Sequence, residues 1–314
     1  MIWNTFLLLI GLATLTLGAE GLVRGSSSLA IRIGLTPLII GLTIVAFGTS
    51  APELVVSLTA SLGNQSDIAI GNVVGSNIFN IGIILGITAL LCPIRISFQV
   101  IKLDGPIMVA ASILLVFLIM HGPLSRPVGF LLFGCLIAYI GFTIRMAKKE
   151  ASSDMGQSLQ DGIPSLSKSP LLDLAFIIVG LLLLVAGSRF LVVSAVAIAR
   201  HFGLSEAIIG LTIIAAGTSM PELATSIVAA IRHQPDIAVG NVVGSNIFNI
   251  FGILGAASMA SPLAPKGITH LDLWVMVAFS IALMPLMYTG LKLQRWEGGF
   301  LLLGYGVYLW MLWP

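Results

Sequence analysis

"GTSAPE" at residues 48–53 places a carboxylate within one of the most apolar parts of the chain, and "GTSMPE" at 217–222 does so again. The flanks of the first copy, "LTPLIIGLTIVAF" before it and "LVVSLTASLG" after it, together have the length and composition of a membrane helix. An acid at the centre of a bilayer costs at least ~2.5–3.5 kcal/mol on insertion scales. Glu53 and Glu222 therefore call for a functional reason.

Both acid motifs belong to a much longer duplication. A shift of 169 residues aligns 41–81 with 210–250, with 28 identities in 41 positions. The aligned segments include "GNVVGSNIFN" at 71–80 and again at 240–249. Self-similarity of this length indicates an internal repeat.

The composition is that of a polytopic membrane protein. Of 314 residues, 57% are hydrophobic and 9% are charged, whereas about a quarter of the residues of a soluble domain are charged. The lipid bilayer is therefore the expected partner. The net charge of +2 without a basic block gives no reason to expect nucleic acid, and no obligate protein partner is evident. Ten spans are predicted at about 2–19, 36–61, 67–91, 105–120, 127–145, 171–189, 205–231, 236–260, 271–289 and 297–313.

These spans predict an all-α membrane protein of ten transmembrane helices in two inverted five-helix repeats. The first repeat covers 1–145, a polar and flexible cytoplasmic loop covers 146–170, and the second repeat covers 171–314. Five is an odd number, so the second repeat enters the membrane from the opposite side, as in many secondary transporters. Glycines are expected to interrupt the third and eighth spans.

The distribution of basic residues predicts the orientation. With both termini outside, eleven Lys and Arg residues face the cytoplasm and four face the exterior. The protein is therefore predicted to be a multi-pass protein of the cell membrane with both termini extracellular or periplasmic.

Each acid follows a feature that breaks a membrane helix. Pro52 lacks the N–H that would bond to the Gly48 carbonyl, so carbonyl oxygens of 46–49 can turn into a cavity. The same argument applies to 215–218 in the second copy. Two facing acids repel each other unless they are protonated or bridged by a cation, so Glu53 and Glu222 are interpreted as cation ligands.

The next helix of each repeat offers a polar wall. Asn72, Ser76 and Asn80 are four residues apart and share a helix face, and the second repeat has Asn241, Ser245 and Asn249 at the matching positions. Gly71, Gly75, Gly240 and Gly244 are interpreted as helix-packing residues. Asp67 and Asp236 are predicted to be helix N-caps, and Thr36 and Ser205 to mark helix starts.

The ligand types are carboxylate, carbonyl, hydroxyl and amide oxygens, which suit Ca²⁺ and Na⁺ rather than zinc or copper. No cofactor is expected. Two carboxylates neutralise one Ca²⁺ or two Na⁺, so the two ions would compete for one pocket. Mutual exclusion of this kind is how an antiporter couples two fluxes.

"GTSAPE…GNVVGSNIFN" and "GTSMPE…GNVVGSNIFN" resemble the two α-repeats of the sodium/calcium exchangers, in the calcium/cation antiporter superfamily. The resemblance extends over the whole chain. It implies a Na⁺/Ca²⁺ antiporter in which the first and sixth helices slide against the core to alternate access. Because the two acids give the empty site a charge of −2, exchange is expected to be electrogenic if more than two Na⁺ replace one Ca²⁺. The resemblance implies a Ca²⁺ site at Glu53 and Glu222 with the carbonyls of Thr49 and Thr218. It places Na⁺ sites or the site lining at Ser50, Ser219, Ala46, Ala215, Ser76, Ser245, Asn80 and Asn249.

The sequence departs from other members of the superfamily at three positions. The potassium-dependent exchangers and some prokaryotic members carry Asp where this chain has Asn249, so K⁺ co-transport is disfavoured. Proton-coupled exchangers carry Glu at the positions of Gly75 and Gly244, so H⁺ coupling is disfavoured as well. Both remain alternatives on the same fold. A cation channel is a more distant alternative, and no motif of an intramembrane enzyme is present.

Overall fold

The computed structural model is almost entirely helical and describes residues 2–153, 169–201, 215–264 and 267–312. The predicted all-α fold with ten helical units is confirmed. Seven described helices are long and apolar enough to cross a membrane, or eight when a pair bent by 48° is counted as one span. The first half contains α1 (Ile2–Ile33), α2 (Pro37–Thr49 and Ala51–Leu62), α3 (Ser66–Leu91), α4 (Val100–Met120) and α5 (Arg126–Ser153).

The second half has the same order of helices. It contains α6 (Pro170–His201), α7 (Ala215–Thr218 and Met220–Ile231), α8 (Pro235–Ala260), α9 (His270–Tyr288) and α10 (Arg295–Leu312). The predicted flexible loop falls largely on 154–168, and the predicted helix start at Ser205 falls on 202–214. Both segments lie outside the described residues.

The predicted ends of the first and sixth spans, at 19 and 189, are wrong. α1 and α6 each run for 32 residues, about 48 Å, because the two helices pack on each other beyond the apolar stretch. Arg32 Nε donates to Asp173 Oδ2 at 2.6 Å, and the Arg24 guanidinium lies 5.1 Å from the centroid of the Phe176 ring. Polar residues that should end a span are thus used to join the two helices.

Glycines bring α1 and α6 into backbone contact. A Cβ on Gly18 would lie 2.8 Å from the Gly180 carbonyl oxygen, and one on Gly180 would lie 2.6 Å from the Leu22 nitrogen. Gly11 and Gly187 approach each other in the same way further along the pair. Small residues on both helices are what such close membrane packing requires.

The substitution Gly180→Ala is therefore expected to lower the free energy of unfolding by about 1–3 kcal/mol, the usual cost of overpacking. The backbone of α1 blocks the new methyl group, so the helices have to separate. Unfolding in detergent measures the effect. Gly134→Ala is the matched control, because Gly134 lies exposed on α5 and a Cβ there would meet no atom of the described residues within 4 Å. Equal stability of the two variants would contradict the close packing.

α3 and α8 form the centre of the molecule. In their most apolar 18-residue windows, 78% of α3 and all of α8 are buried, against 33% of α1 and 28% of α6. The expectation that glycines interrupt these two spans is wrong, since both helices are continuous. Each instead widens into a π-helical segment, Asn80–Leu85 in α3 and Asn249–Leu254 in α8. Packing explains Gly240 and Gly244 as predicted, because a Cβ on either would lie 2.7 Å from a carbonyl oxygen of α2.

Short β contacts join the ends of the two halves, although no strand was predicted. β1 (Ile94–Arg95) pairs antiparallel with β2 (Lys292–Leu293), with Ile94 opposite Leu293. A single bridge joins Leu124 to Leu263. The same shift of 169 residues converts one contact into the other, so the two halves are related by a pseudo-two-fold axis.

The helix-start predictions have mixed outcomes. The Thr36 side chain caps α2 by accepting from the Ile39 N–H, as predicted. The N-cap predictions for Asp67 and Asp236 are wrong, because both residues lie in the first turn of their helices and the N-cap positions are those of Gln65 and Gln234. Asp67 Oδ1 instead accepts from the Gly267 N–H at 2.8 Å.

Candidate cation-binding site

The two repeated acids lie at matching breaks in α2 and α7. The backbone leaves regular helical geometry at Ser50 (φ −82°, ψ 9°) and at Ser219 (φ −88°, ψ 8°). A proline two residues later lies in the first turn of the next helical segment, where its missing N–H is tolerated. Glu53 and Glu222 therefore project from the first turn after each break, and both are 1% exposed.

The serines at the breaks reach across to the opposite half. Ser50 Oγ donates to Glu222 Oε1 at 2.8 Å, and Ser219 Oγ donates to Glu53 Oε1 at 2.9 Å. Neither serine bonds to the acid of its own motif. The repeated motifs thus form one shared site rather than two separate ones.

The central helices complete this site with two further serines. Ser50 Oγ is hydrogen-bonded to Ser245 Oγ of α8 at 3.1 Å, and Ser219 Oγ to Ser76 Oγ of α3 at 3.2 Å. All four hydroxyls are buried. Each acid is therefore the end of a row of three hydrogen-bonded residues that come from both halves of the protein.

Two asparagines fasten the broken helices to the centre. Asn72 Nδ2 donates to the Glu53 carbonyl at 3.1 Å and to Ser57 Oγ at 2.9 Å. Asn241 Nδ2 bonds in the matching way to the Glu222 carbonyl, at 3.2 Å, and to Ser226. These bonds fix the backbone of Glu53 and Glu222, so Asn72 positions Glu53 through its backbone carbonyl.

The remaining predicted ligands lie directly before the two breaks. Thr49 Oγ1 donates to Asn241 Oδ1 at 3.0 Å, and the Ala46 carbonyl accepts from the Ser50 N–H at 3.1 Å. Thr218 is buried, at 9% exposure. Ala215 begins the short helix Ala215–Thr218. The ligand roles of these four residues stay predictions.

Asn80 and Asn249 lie one helical turn beyond Ser76 and Ser245. Asn80 Nδ2 donates to Asn246 Oδ1 and Asn249 Nδ2 donates to Asn77 Oδ1, both at 2.9 Å. Asn77 and Asn246 were not predicted to belong to the site, although both lie in the repeated "GSNIFN". The spacing itself indicates their place, because residues three apart on a helix are neighbours and Asn77 lies three residues before Asn80.

Four buried oxygens of this region have no hydrogen-bond partner among the residues that the structure describes. They are Glu53 Oε2, Glu222 Oε2, Asn80 Oδ1 and Asn249 Oδ1. Such atoms are rare and costly in folded proteins unless an ion or water satisfies them. They form two pairs related by the pseudo-two-fold axis. Among the described residues, no Lys or Arg forms a salt bridge with either acid.

The arrangement is chemically suited to a hard cation. Two ionised carboxylates give two negative charges. The neutral groups around them can each coordinate a cation through an oxygen atom. Burial strengthens the attraction, since charges interact more strongly away from water.

Comparison with known proteins identifies similar chains. Residues 3–145 and 172–313 match the family described as sodium/calcium exchanger protein. The chain is 33% identical to the sodium/calcium exchanger MaX1 of Methanosarcina acetivorans over 98% of this chain and 97% of the relative. It is 38% identical to the inner membrane protein YrbG of Escherichia coli, over 83% and 81% of the two chains. A solved structure of the sodium-calcium exchanger NCX_Mj, soaked with Na⁺ and Ca²⁺, superposes with a TM-score of 0.84 at 31% identity, covering 98% of each chain.

Proposed function

This chain belongs to the sodium/calcium exchanger family of membrane transporters, and on that premise we propose that it exchanges Na⁺ for Ca²⁺ by alternating access. The observation that carries the proposal is the pair of buried acids shared between the halves, each with one oxygen bonded to a serine of the other half and one oxygen unpartnered. A dehydrated cation between the acids would satisfy both free oxygens.

Ca²⁺ is the divalent ion that fits this charge and ligand set. The two carboxylates neutralise one Ca²⁺, which takes six to eight oxygen ligands. Glu53 and Glu222 supply the charged ligands in this proposal, and the carbonyls of Thr49 and Thr218 supply neutral ones. These carbonyls lie at the break in each helix, where regular backbone hydrogen bonding ends.

Na⁺ would use the same acids with the serines beside them. A hydroxyl has one proton and two lone pairs, so Ser50 and Ser219 can donate to an acid and still offer a lone pair to a cation. We place Na⁺ between each acid and its serine neighbours, which are all buried. This set comprises Ser50, Ser219, Ser76 and Ser245, together with the carbonyls of Ala46 and Ala215 and the central Asn80 and Asn249.

Sharing the acids couples the two ions. A site that holds Ca²⁺ has its negative charge neutralised, so Na⁺ binds well only after Ca²⁺ has left. The empty site does not switch its access from one side of the membrane to the other, because two buried carboxylates without a cation are costly. Each switch therefore requires a bound ion, and Ca²⁺ moving one way is exchanged for Na⁺ moving the other way. That cost prevents the uncoupled leak of either ion.

The moving element in this proposal is the α1–α6 pair. Both helices lie at the periphery, pack on each other through glycines, and cover the breaks: a Cβ on Gly48 would meet Leu181 of α6, and Ser188 Oγ donates to the Gly217 carbonyl at 2.6 Å. Displacement of this pair would open the acids to one side of the membrane and then the other. We place the protein in the cell membrane with both termini outside, on the basis of the basic residues.

Replacement of the serines is expected to separate the two ions. Ser50→Ala, Ser219→Ala, Ser76→Ala and Ser245→Ala should weaken Na⁺ dependence more than Ca²⁺ binding, by about tenfold against less than threefold, because each variant keeps both carboxylates. Calorimetric titration of each variant with both ions measures the difference. An equal loss of Na⁺ and Ca²⁺ affinity in all four variants would show that both ions use the same ligands.

A channel is the alternative from another class. Flux measurements in proteoliposomes distinguish the two. An antiporter saturates and stops when the counter-ion is removed from the opposite side, whereas a channel conducts without a counter-ion.

A further inference from the structure

Asn77 and Asn246 are buried at the centre of the molecule, at 1% and 0% exposure, and the proposed ion sites give them no role. Their side chains nevertheless touch both asparagines that do have a role. Together the four amides form two hydrogen-bonded pairs across the pseudo-two-fold axis.

Each pair is anchored by a group that can only accept. Asn246 Nδ2 donates to the Asn77 backbone carbonyl at 3.4 Å and lies 3.6 Å from Met108 Sδ. A carbonyl oxygen and a thioether sulfur offer no proton, so this end of the Asn246 amide must be the NH₂ group. The Oδ1 atom of Asn246 is thereby directed at Asn80.

The orientation passes to the next amide. Because Asn246 Oδ1 accepts, Asn80 must present Nδ2 to it, and the bond is 2.9 Å long. Asn80 Oδ1 is then turned the other way, and it is one of the four buried oxygens without a partner. The second relay has the same order: the Asn246 carbonyl accepts from Asn77 Nδ2, and Asn77 Oδ1 accepts from Asn249 Nδ2.

We propose that Asn77 and Asn246 are positioning residues, which fix the amides of Asn249 and Asn80 so that oxygen rather than NH₂ faces the transported cation. The inference rests on the proposed function, which makes Asn80 and Asn249 part of the ion sites. The two ends of an amide have nearly the same shape, so shape alone does not choose between them. An inverted amide would replace an oxygen ligand by a donor that repels the ion.

The test is a double-mutant cycle. Asn246→Leu removes the acceptor for Asn80 and keeps the number and branching of the side-chain heavy atoms. It is expected to raise the half-saturating concentration of Na⁺ or Ca²⁺ in exchange about tenfold, with the maximal rate changed less than twofold. In an Asn80→Ala background the same substitution should change the half-saturating concentration less than twofold, because no amide remains at residue 80 to be oriented.

A purely structural role predicts another pattern. Asn246→Leu would then have the same effect in both backgrounds, which would overturn the inference, as would unchanged half-saturating concentrations of both ions. Ser112→Ala is the matched control. It removes a buried 3.2 Å hydrogen bond to Ser280 that also joins the two halves but leads to no unpartnered oxygen, and its ion affinities should equal those of the parent.

The mirror cycle uses Asn77→Leu and Asn249→Ala, and it gives the answer if Asn246→Leu does not fold. Failure of the proposed function is recognised separately. A parent protein that moves Ca²⁺ without needing Na⁺ contradicts Na⁺/Ca²⁺ exchange, while the Ca²⁺ half-saturation of the variants still tests the positioning role.

Discussion

Replacement of Glu53 or Glu222 by glutamine is expected to abolish Ca²⁺ transport while the protein stays folded. Each substitution keeps the shape of the side chain and removes half of the negative charge of the site. Loss of one partner from a buried ionic contact costs about 3–5 kcal/mol, so Ca²⁺ affinity should fall at least about 100-fold. Uptake of radioactive Ca²⁺ into proteoliposomes measures the loss.

Asp104→Asn is the matched control for both variants. Asp104 is fully buried in α4, and its two carboxylate oxygens accept from Tyr139 Oη at 2.9 Å and Gln99 Nε2 at 3.2 Å. It is the same kind of change at equal burial, but outside the proposed ion site. Ca²⁺ uptake by Asp104→Asn should stay within about threefold of the parent. Near-normal uptake by Glu53→Gln or Glu222→Gln would refute the paired-carboxylate site.

Membrane potential should strongly shift the distribution of Ca²⁺. The site offers three groups of neutral oxygens, one serine pair on each side and the central asparagines, so we predict that three Na⁺ replace one Ca²⁺. One net positive charge then moves with Na⁺ in each cycle. A charge crossing 100 mV changes the free energy by about 2.3 kcal/mol, which is about 50-fold in the Ca²⁺ ratio.

The measurement uses vesicles with equal Na⁺ on both sides and K⁺ higher outside. Valinomycin makes the interior positive, which should drive Na⁺ out and Ca²⁺ in. The same K⁺ gradient without valinomycin is the control, and it also reveals any direct K⁺ coupling. An identical Ca²⁺ distribution in both conditions would show that exchange is electroneutral.

The sequence predicts which residues form this site better than it predicts which of them are hydrogen-bonded to one another. The repeat, the helix breaks at Pro52 and Pro221, and the burial of both acids all follow from local pattern and from the cost of charge in a membrane. That Ser50 bonds to Glu222 rather than to Glu53 depends on how the halves pack, which no local pattern contains. The two-fold symmetry implied by an inverted repeat makes such a crossing natural once the halves face each other.

Patterns within a single helix do not show the contacts that it makes with its partner helix. The charged residues after residue 19 predict the end of α1, but α6 supplies contacts for Arg24 and Arg32, so the helix continues. A strict spacing of four residues selects Asn72, Ser76 and Asn80 and misses Asn77. The two-residue strands at 94–95 and 292–293 are too short to leave a periodic signal.

The most direct test of Na⁺/Ca²⁺ antiport is radioactive Ca²⁺ uptake into proteoliposomes loaded in turn with Na⁺, K⁺ or H⁺. An outward Na⁺ gradient alone should drive saturable uptake, K⁺ should add nothing, and a proton gradient alone should give only the background of empty vesicles. Uptake driven equally well by protons, Na⁺-driven uptake that requires K⁺, or uptake without any counter-ion gradient would contradict the account.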